Sequence, residues 1–171
     1  EPRLAVSYLE FVPNSAWLVS GGGITATLWD LDSKKPLRTF GGHKNALTTL
    51  CVSPDGKLLA TGGVDDKIFI WNIADGTKKH EIKGDTGGVT ALAFSRTGRS
   101  LVSAGGDLSL RVWSVSTGQM REALRRHTKK PLTLAFSPDG KTLASAGQDE
   151  IVFLWDFAEP AEEEKPSEDD G

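Results

Sequence analysis

The chain has 171 residues, 38% of them apolar and 25% charged, a balance found in folded globular proteins and not in collagen-like, coiled-coil or wholly disordered chains. Its longest purely apolar run, Ile151 to Trp155, falls far short of the roughly 20 residues a membrane-spanning helix needs, so no membrane association is expected. One cysteine, Cys51, and three histidines cannot supply an internal disulfide or a Cys/His zinc cluster, and no cofactor or metal is expected.

The net charge of −3 conceals a division. Seven acids, Glu159, Glu162, Glu163, Glu164, Glu168, Asp169 and Asp170, fall in the last thirteen residues, and residues 1–157 are mildly basic. From Ala158 to Gly171 there is no aromatic or branched apolar side chain to offset the entropy of ordering, so this segment reads as an acidic disordered tail. Residues 1–10 show no basic leader or unbroken apolar core, and the expected setting is intracellular, cytoplasmic or nuclear.

Along the chain, Trp29, Trp71, Trp113 and Trp155 stand 42 residues apart, and only Trp17 lies outside the series. Their neighbours recur in phase. Ser53-Pro54-Asp55-Gly56, Ser95-Arg96-Thr97-Gly98 and Ser137-Pro138-Asp139-Gly140 read as tight turns, with glycine at the left-handed position and, in two of them, proline presetting φ. Each turn is followed by a short strand ending in small residues: Leu58 to Gly63, Leu101 to Gly105, Leu143 to Gly147. The indole strands Ile68 to Trp71 and Ile151 to Trp155 are apolar without alternation, which implies burial on both faces and hence sheets stacked face to face. Matching turns at Ala74-Asp75-Gly76 and Ser116-Thr117-Gly118 lead to a polar strand such as Lys78 to Lys83. One unit is therefore four short antiparallel strands, a to d, joined by tight turns.

These residues resemble the WD40 repeat family. Trp29-Asp30 and Trp155-Asp156 keep its dipeptide, and Trp71-Asn72 and Trp113-Ser114 stand as variants. The resemblance implies an all-β fold, a WD40-type propeller arc of about four blades of four-stranded antiparallel sheets. The expected blades are approximately 1–41, 42–84, 85–126 and 127–157, followed by the tail at 158–171. The last blade lacks its outer strand, and an open arc leaves two apolar faces wet, so the chain is expected to be the C-terminal part of a larger propeller. Closure by a second four-blade copy is the competing expectation.

The resemblance also implies a structural hydrogen-bond network. Carried over by phase, it comprises Trp71, Thr61, His43 and Asp65 in the second blade and Trp155, Ser145, His127 and Asp149 in the fourth. The third has Trp113, Ser103 and Asp107, but Asp85 stands where histidine is expected, and two acids there would repel. The first has Trp29 and Ser20, with Gly23 in place of the aspartate.

Ser145, His127 and Asp149 match the residue types of a hydrolytic triad, yet no nucleophile elbow or oxyanion motif accompanies them. Gly21-Gly22-Gly23 precedes no Lys-Ser/Thr and no helix, so it reads as a turn and not a phosphate loop. Cys51 reads as a small core residue, and His80, beside Glu81 on an outer strand, as merely solvated. No catalytic residue is expected. The expected function is a non-enzymatic scaffold that binds other proteins or peptides through rim loops, with Lys44, Asn45, Val64, Gly106, Arg126, Lys129, Lys130 and Gln148 as contacts. The alternatives are a nucleic-acid or phospho-ligand subunit using the basic segment Arg125 to Lys130, and a regulatory propeller appended to an enzyme.

Overall fold

A computed structural model describes residues 5–84 and 87–159. Their regular structure is all β, in four antiparallel sheets with neighbouring strands adjacent in sequence. The first sheet contains β1 (Val6–Phe11), β2 (Trp17–Gly22), β3 (Thr25–Asp30) and β4 (Lys35–Gly41). The second contains β5 (Leu47–Val52), β6 (Leu58–Gly63), β7 (Lys67–Asn72) and β8 (Lys78–Lys83), and the third β9 (Val89–Phe94), β10 (Ser100–Gly105), β11 (Ser109–Ser114) and β12 (Met120–Arg125). The last has only β13 (Pro131–Phe136), β14 (Thr142–Gly147) and β15 (Val152–Asp156).

Because successive strand side chains point to opposite faces, each sheet offers two apolar surfaces. In β7, Phe69 and Trp71 join Val19, Ala26, Leu28 and Phe40 of the first sheet, whereas Ile68 and Ile70 join Val89, Phe94, Leu101 and Trp113 of the third. Val102, Leu110 and Val112 then meet Leu143, Phe136 and Trp155 of the last sheet. The core is thus three apolar layers between four sheets. Ile68 and Ile70 are fully buried, each contributing roughly 1.5–3 kcal/mol of apolar burial.

Polar latches cross the same interfaces. Thr48 Oγ1 donates to the carbonyl of Val89, and Thr90 Oγ1, one repeat later, to that of Pro131 at 2.6 Å. On the outer strands, Arg38 Nη1 donates to the carbonyls of Ile73 and Ala74, both at 2.7 Å. His80 Nε2, 42 residues on, lies 3.1 Å from the carbonyls of Val115 and Ser116. The expectation of a merely solvated His80 is therefore corrected: its ring fastens β8 to the turn of the next sheet. Cys51 is buried, and burial, with Glu10 adding to it, pushes its thiol pKa well up, which suits a packing role.

The stack ends on uncovered surface. Leu9 and Phe11 of β1 are 65% and 68% exposed, and Val152 and Leu154 of β15 are 65% and 66% exposed. Val152 and Leu154 occupy the phases of Ile68 and Ile70, so an equivalent pair is buried in one sheet and open in another. Leu132, in the phase of the latch residues Thr48 and Thr90, has no hydroxyl and is also exposed. This contrast sets a paired prediction for the chain of residues 1–171. Ile70→Ala lowers its stability by about 2–5 kcal/mol in urea unfolding, whereas Leu154→Ala costs less than about 1 kcal/mol. Equal losses would refute the packing described.

Candidate functional site

The repeated side chains converge near the start of each indole strand. In the second sheet, Trp71 Nε1 donates to Thr61 Oγ1 at 3.1 Å, His43 Nε2 lies 3.0 Å from the same oxygen, and His43 Nδ1 lies 2.9 Å from Asp65 Oδ1. In the last, Trp155 Nε1 donates to Ser145 Oγ at 2.9 Å, with His127 Nε2 at 2.8 Å from that oxygen and His127 Nδ1 at 2.7 Å from Asp149 Oδ2. One protonation pattern satisfies the whole relay: the indole donates to the hydroxyl oxygen, the hydroxyl proton turns to Nε2, and a neutral imidazole donates from Nδ1 to the carboxylate. Both histidines are buried and pack against the phenylalanine two residues before the indole, His43 on Phe69 and His127 on Phe153 at ring separations of 4.5 and 4.8 Å.

The aspartates close the loops above. Asp65 also accepts from the amide of Lys44 at 2.8 Å, and Asp149 from that of Thr128 at 3.1 Å. Burial by itself would raise both carboxyls, but the amides and histidines outweigh it and hold their pKa values below the ordinary aspartate value. The Ser145 hydroxyl is buried and occupied by an indole and an imidazole, an arrangement suited to holding a sheet.

The other two sheets depart from this pattern. Trp29 Nε1 still donates to Ser20 Oγ at 2.8 Å. Trp113 Nε1 donates to Ser103 Oγ at 2.8 Å, but Asp107 is held by Arg111, with Nη2 2.6 Å from Oδ2, and accepts from the Ser109 hydroxyl. Arg111 occupies the phase of Phe69 and Phe153, so the sheet without the histidine also lacks the phenylalanine that packs on it. Asp85 lies outside the described residues; among the described residues Arg111 pairs with Asp107.

The rim candidates separate into two groups. Val64, Gly106 and Gln148 each donate a backbone N–H to the connection entering their own sheet, at Ala46, Gly88 and Lys130. Lys44, Asn45 and Val64 are exposed together over the second sheet, with the Asn45 amide oxygen bonded to the N–H of Ala46 at 2.8 Å. Lys129, Lys130 and Gln148 are exposed over the last. Gly106 lies between these groups and presents only backbone, since a Cβ there would come within 2.2 Å of the Gly87 carbonyl oxygen. Arg126 is turned away from the loop tips: its guanidinium lies 4.8 Å from the Phe153 ring centre and 5.8 Å from that of Trp155.

There Arg126 borders a groove of about 430 Å³, walled by Val112, Leu124 and Arg121 on one side and Leu154 and Trp155 on the other. The groove runs beside β15, where the other sheets carry a fourth strand. No group of His, Cys, Asp and Glu able to hold a metal occurs among the described residues, and no helix among them is long and apolar enough to cross a membrane.

The family model described as WD domain, G-beta repeat matches residues 34–72, 76–114 and 118–156. The chain belongs to this WD40 repeat family. Each matched window begins near an outer strand and ends at the indole strand of the next sheet, so one repeat of sequence straddles two blades. Among related proteins, the chain is 36% identical over 81 residues to the small ribosomal subunit protein RACK1 of Drosophila melanogaster, covering 46% of this chain and 26% of that protein. It is 33% identical over 84 residues to protein HIR1 of Candida albicans, covering 39% and 9% respectively. A third match is RACK1z of Arabidopsis thaliana, 36% identical over 56 residues, covering 33% and 17%. The matches thus span about a quarter or less of these relatives' lengths.

The sequence reading missed the latches at Arg38 and His80 and the exchange of phenylalanine for Arg111. Aligning the WD40 repeats at 42 residues exposes the exchange, whereas the latches depend on which carbonyl the adjacent blade presents. Since the folded-state pKa of Asp65 and Asp149 is depressed, their contribution is present above the unfolded value of about 3.9 and is lost as pH falls through the folded value. A variant carrying Asp65→Asn and Asp149→Asn has a lower Tm at pH 7 and a flatter decline of Tm from pH 5 to 3. An acid decline as steep as that of the unsubstituted protein would contradict this account.

Proposed function

We propose that this chain is a non-enzymatic scaffold that binds partner proteins or peptides through its rim loops within a multi-subunit assembly, and that further blades complete its propeller. The observation that carries this reading is the recurring backbone bond from Val64, Gly106 and Gln148 to the connection below. It clamps two loops of each of these blades together, so their backbones lose little conformational freedom on binding. Lys129, Lys130 and Gln148 over the last blade, and Lys44, Asn45 and Val64 over the second, are the proposed contacts.

The groove beside β15 supports the second half of the proposal. In the first three sheets the turn into the outer strand passes through a residue with left-handed φ: Lys34 at 56°, Gly76 at 78° and Gly118 at 73°. The next residue in that phase is Pro160, whose ring fixes φ near −65°. Proline does not adopt the left-handed φ of that turn, which supports taking the missing strand from elsewhere. Three blades show what it should carry: Phe40, Ile82 and Leu124 stand opposite Ala26, Ile68 and Leu110, so an apolar side chain is expected opposite Val152.

Two substitutions separate the halves. In the intact protein, Lys129→Glu with Lys130→Glu abolishes affinity capture of the partners held by the unsubstituted protein and leaves Tm unchanged; full retention would overturn the rim assignment. Leu154→Asp lowers the Tm of the intact protein by several degrees, because it places a charge against the covering strand. An unchanged Tm would show that nothing packs on β15.

A further inference from the structure

Charge is sorted radially across the sheets. The innermost strands β5, β9 and β13 and the second strands β2, β6, β10 and β14 carry no charged residue, and β1 carries only Glu10. The outermost strands are rich in cations: Lys35 and Arg38 on β4, preceded by Lys34; Lys78, Lys79 and Lys83 on β8; Arg121 and Arg125 on β12, followed by Arg126. Only Glu81 and Glu122 oppose them on these strands. Glu81 is taken by Lys67 and Lys78, whose ammonium groups lower its pKa to about 2. Lys34, Lys35, Lys79 and Lys83 are exposed and form no ion pair among the described residues.

The cations also recur in step. Lys83 and Arg125 are one repeat apart and both exposed, so these adjacent blades present positive charge at equivalent heights, whereas Arg121, one repeat after Lys79, lines the groove beside β15. Lys83 stands opposite Lys67 in the strand register, and like charges directly opposite destabilise a sheet. No Phe, Tyr or Trp ring is exposed on these strands, and Leu37 and Met120 are the large apolar side chains most open there. A protein partner gains most of its affinity from buried anchors, aromatic ones above all, and this surface offers only Leu37 and Met120, whereas a phosphodiester backbone presents regular charge and needs only cations. Without rings to stack on unpaired bases, the surface suits a duplex better than a single strand.

We propose that the outer strands of the first three blades bind the phosphate backbone of double-helical nucleic acid without reading its base sequence. This surface lies around the circumference, apart from the rim contacts of the proposed function, and does not depend on them.

The test uses the intact protein and fluorescently labelled RNA and DNA duplexes of about 20 base pairs, two sequences of each, titrated by anisotropy from about 50 to 200 mM salt. The expected result is binding of RNA, DNA or both, indifferent to sequence, with log K falling linearly as log salt rises. The triple variant Lys79→Glu, Lys83→Glu and Arg125→Glu, with Tm retained, should bind at least about tenfold more weakly, its salt slope less steep by about 0.9 for each phosphate no longer neutralised. Lys57→Glu with Lys141→Glu, on turns away from the outer strands, should bind like the unsubstituted protein. The proposal is overturned if the triple variant binds as tightly as the unsubstituted protein, or if no duplex is retained at low salt. Tighter binding of poly-glutamate than of either duplex also overturns it, and would assign the surface to an acidic protein.

Discussion

A small sheet that is apolar on both faces is unstable alone, and the whole structure depends on that constraint. Phe69 and Trp71 need a neighbour on one side, Ile68 and Ile70 need one on the other, and each neighbour has the same requirement. Stacking repeats satisfies every internal face and leaves the end faces unsatisfied. The exposed Leu9 and Phe11 at one end and Val152 and Leu154 at the other follow directly. Nonspecific burial does not fix the angle or register between sheets, and that task falls to directional groups such as the Thr48, Thr90, Arg38 and His80 latches.

The buried relay acts within a blade as the latches act between blades. An indole, a hydroxyl, an imidazole and a carboxylate, each bonded to the next, fix the indole strand to its neighbour and to the loop above, with little freedom for any member to reorient. Low-dielectric burial makes a half-satisfied relay costly, which explains why the third blade changes in concert. There Arg111 replaces the phenylalanine and neutralises Asp107, while the bond from Trp113 to Ser103 persists.

Much of this architecture was readable from one chain because period and phase are properties of sequence. The four indoles at equal spacing, the turn glycines and the unalternated Ile68 to Trp71 strand announce repeated sheets buried on both faces. The residues of the relay could be named by phase, since His43 and His127 stand at equal distances from Trp71 and Trp155. Contacts between blades were not readable, because they pair residues about 35 to 42 positions apart through the carbonyl geometry of the adjacent turn. His80 therefore looked like a surface histidine, and Arg126 like part of a basic loop although it lies over Phe153 and Trp155. The radial sorting of charge likewise emerges only once the polar strands are known to be outermost.

The family, the stack and its uncovered ends are properties of the chain; completion by further blades is the step on which the proposed assembly rests. Hydrogen exchange of the amides of residues 152–156 in the intact protein tests that step most directly. If a strand and another blade cover β15, these amides exchange as slowly as those of residues 68–72 in the second sheet. Exchange orders of magnitude faster than in that sheet would mean that the edge stays open and that the arc is not completed there.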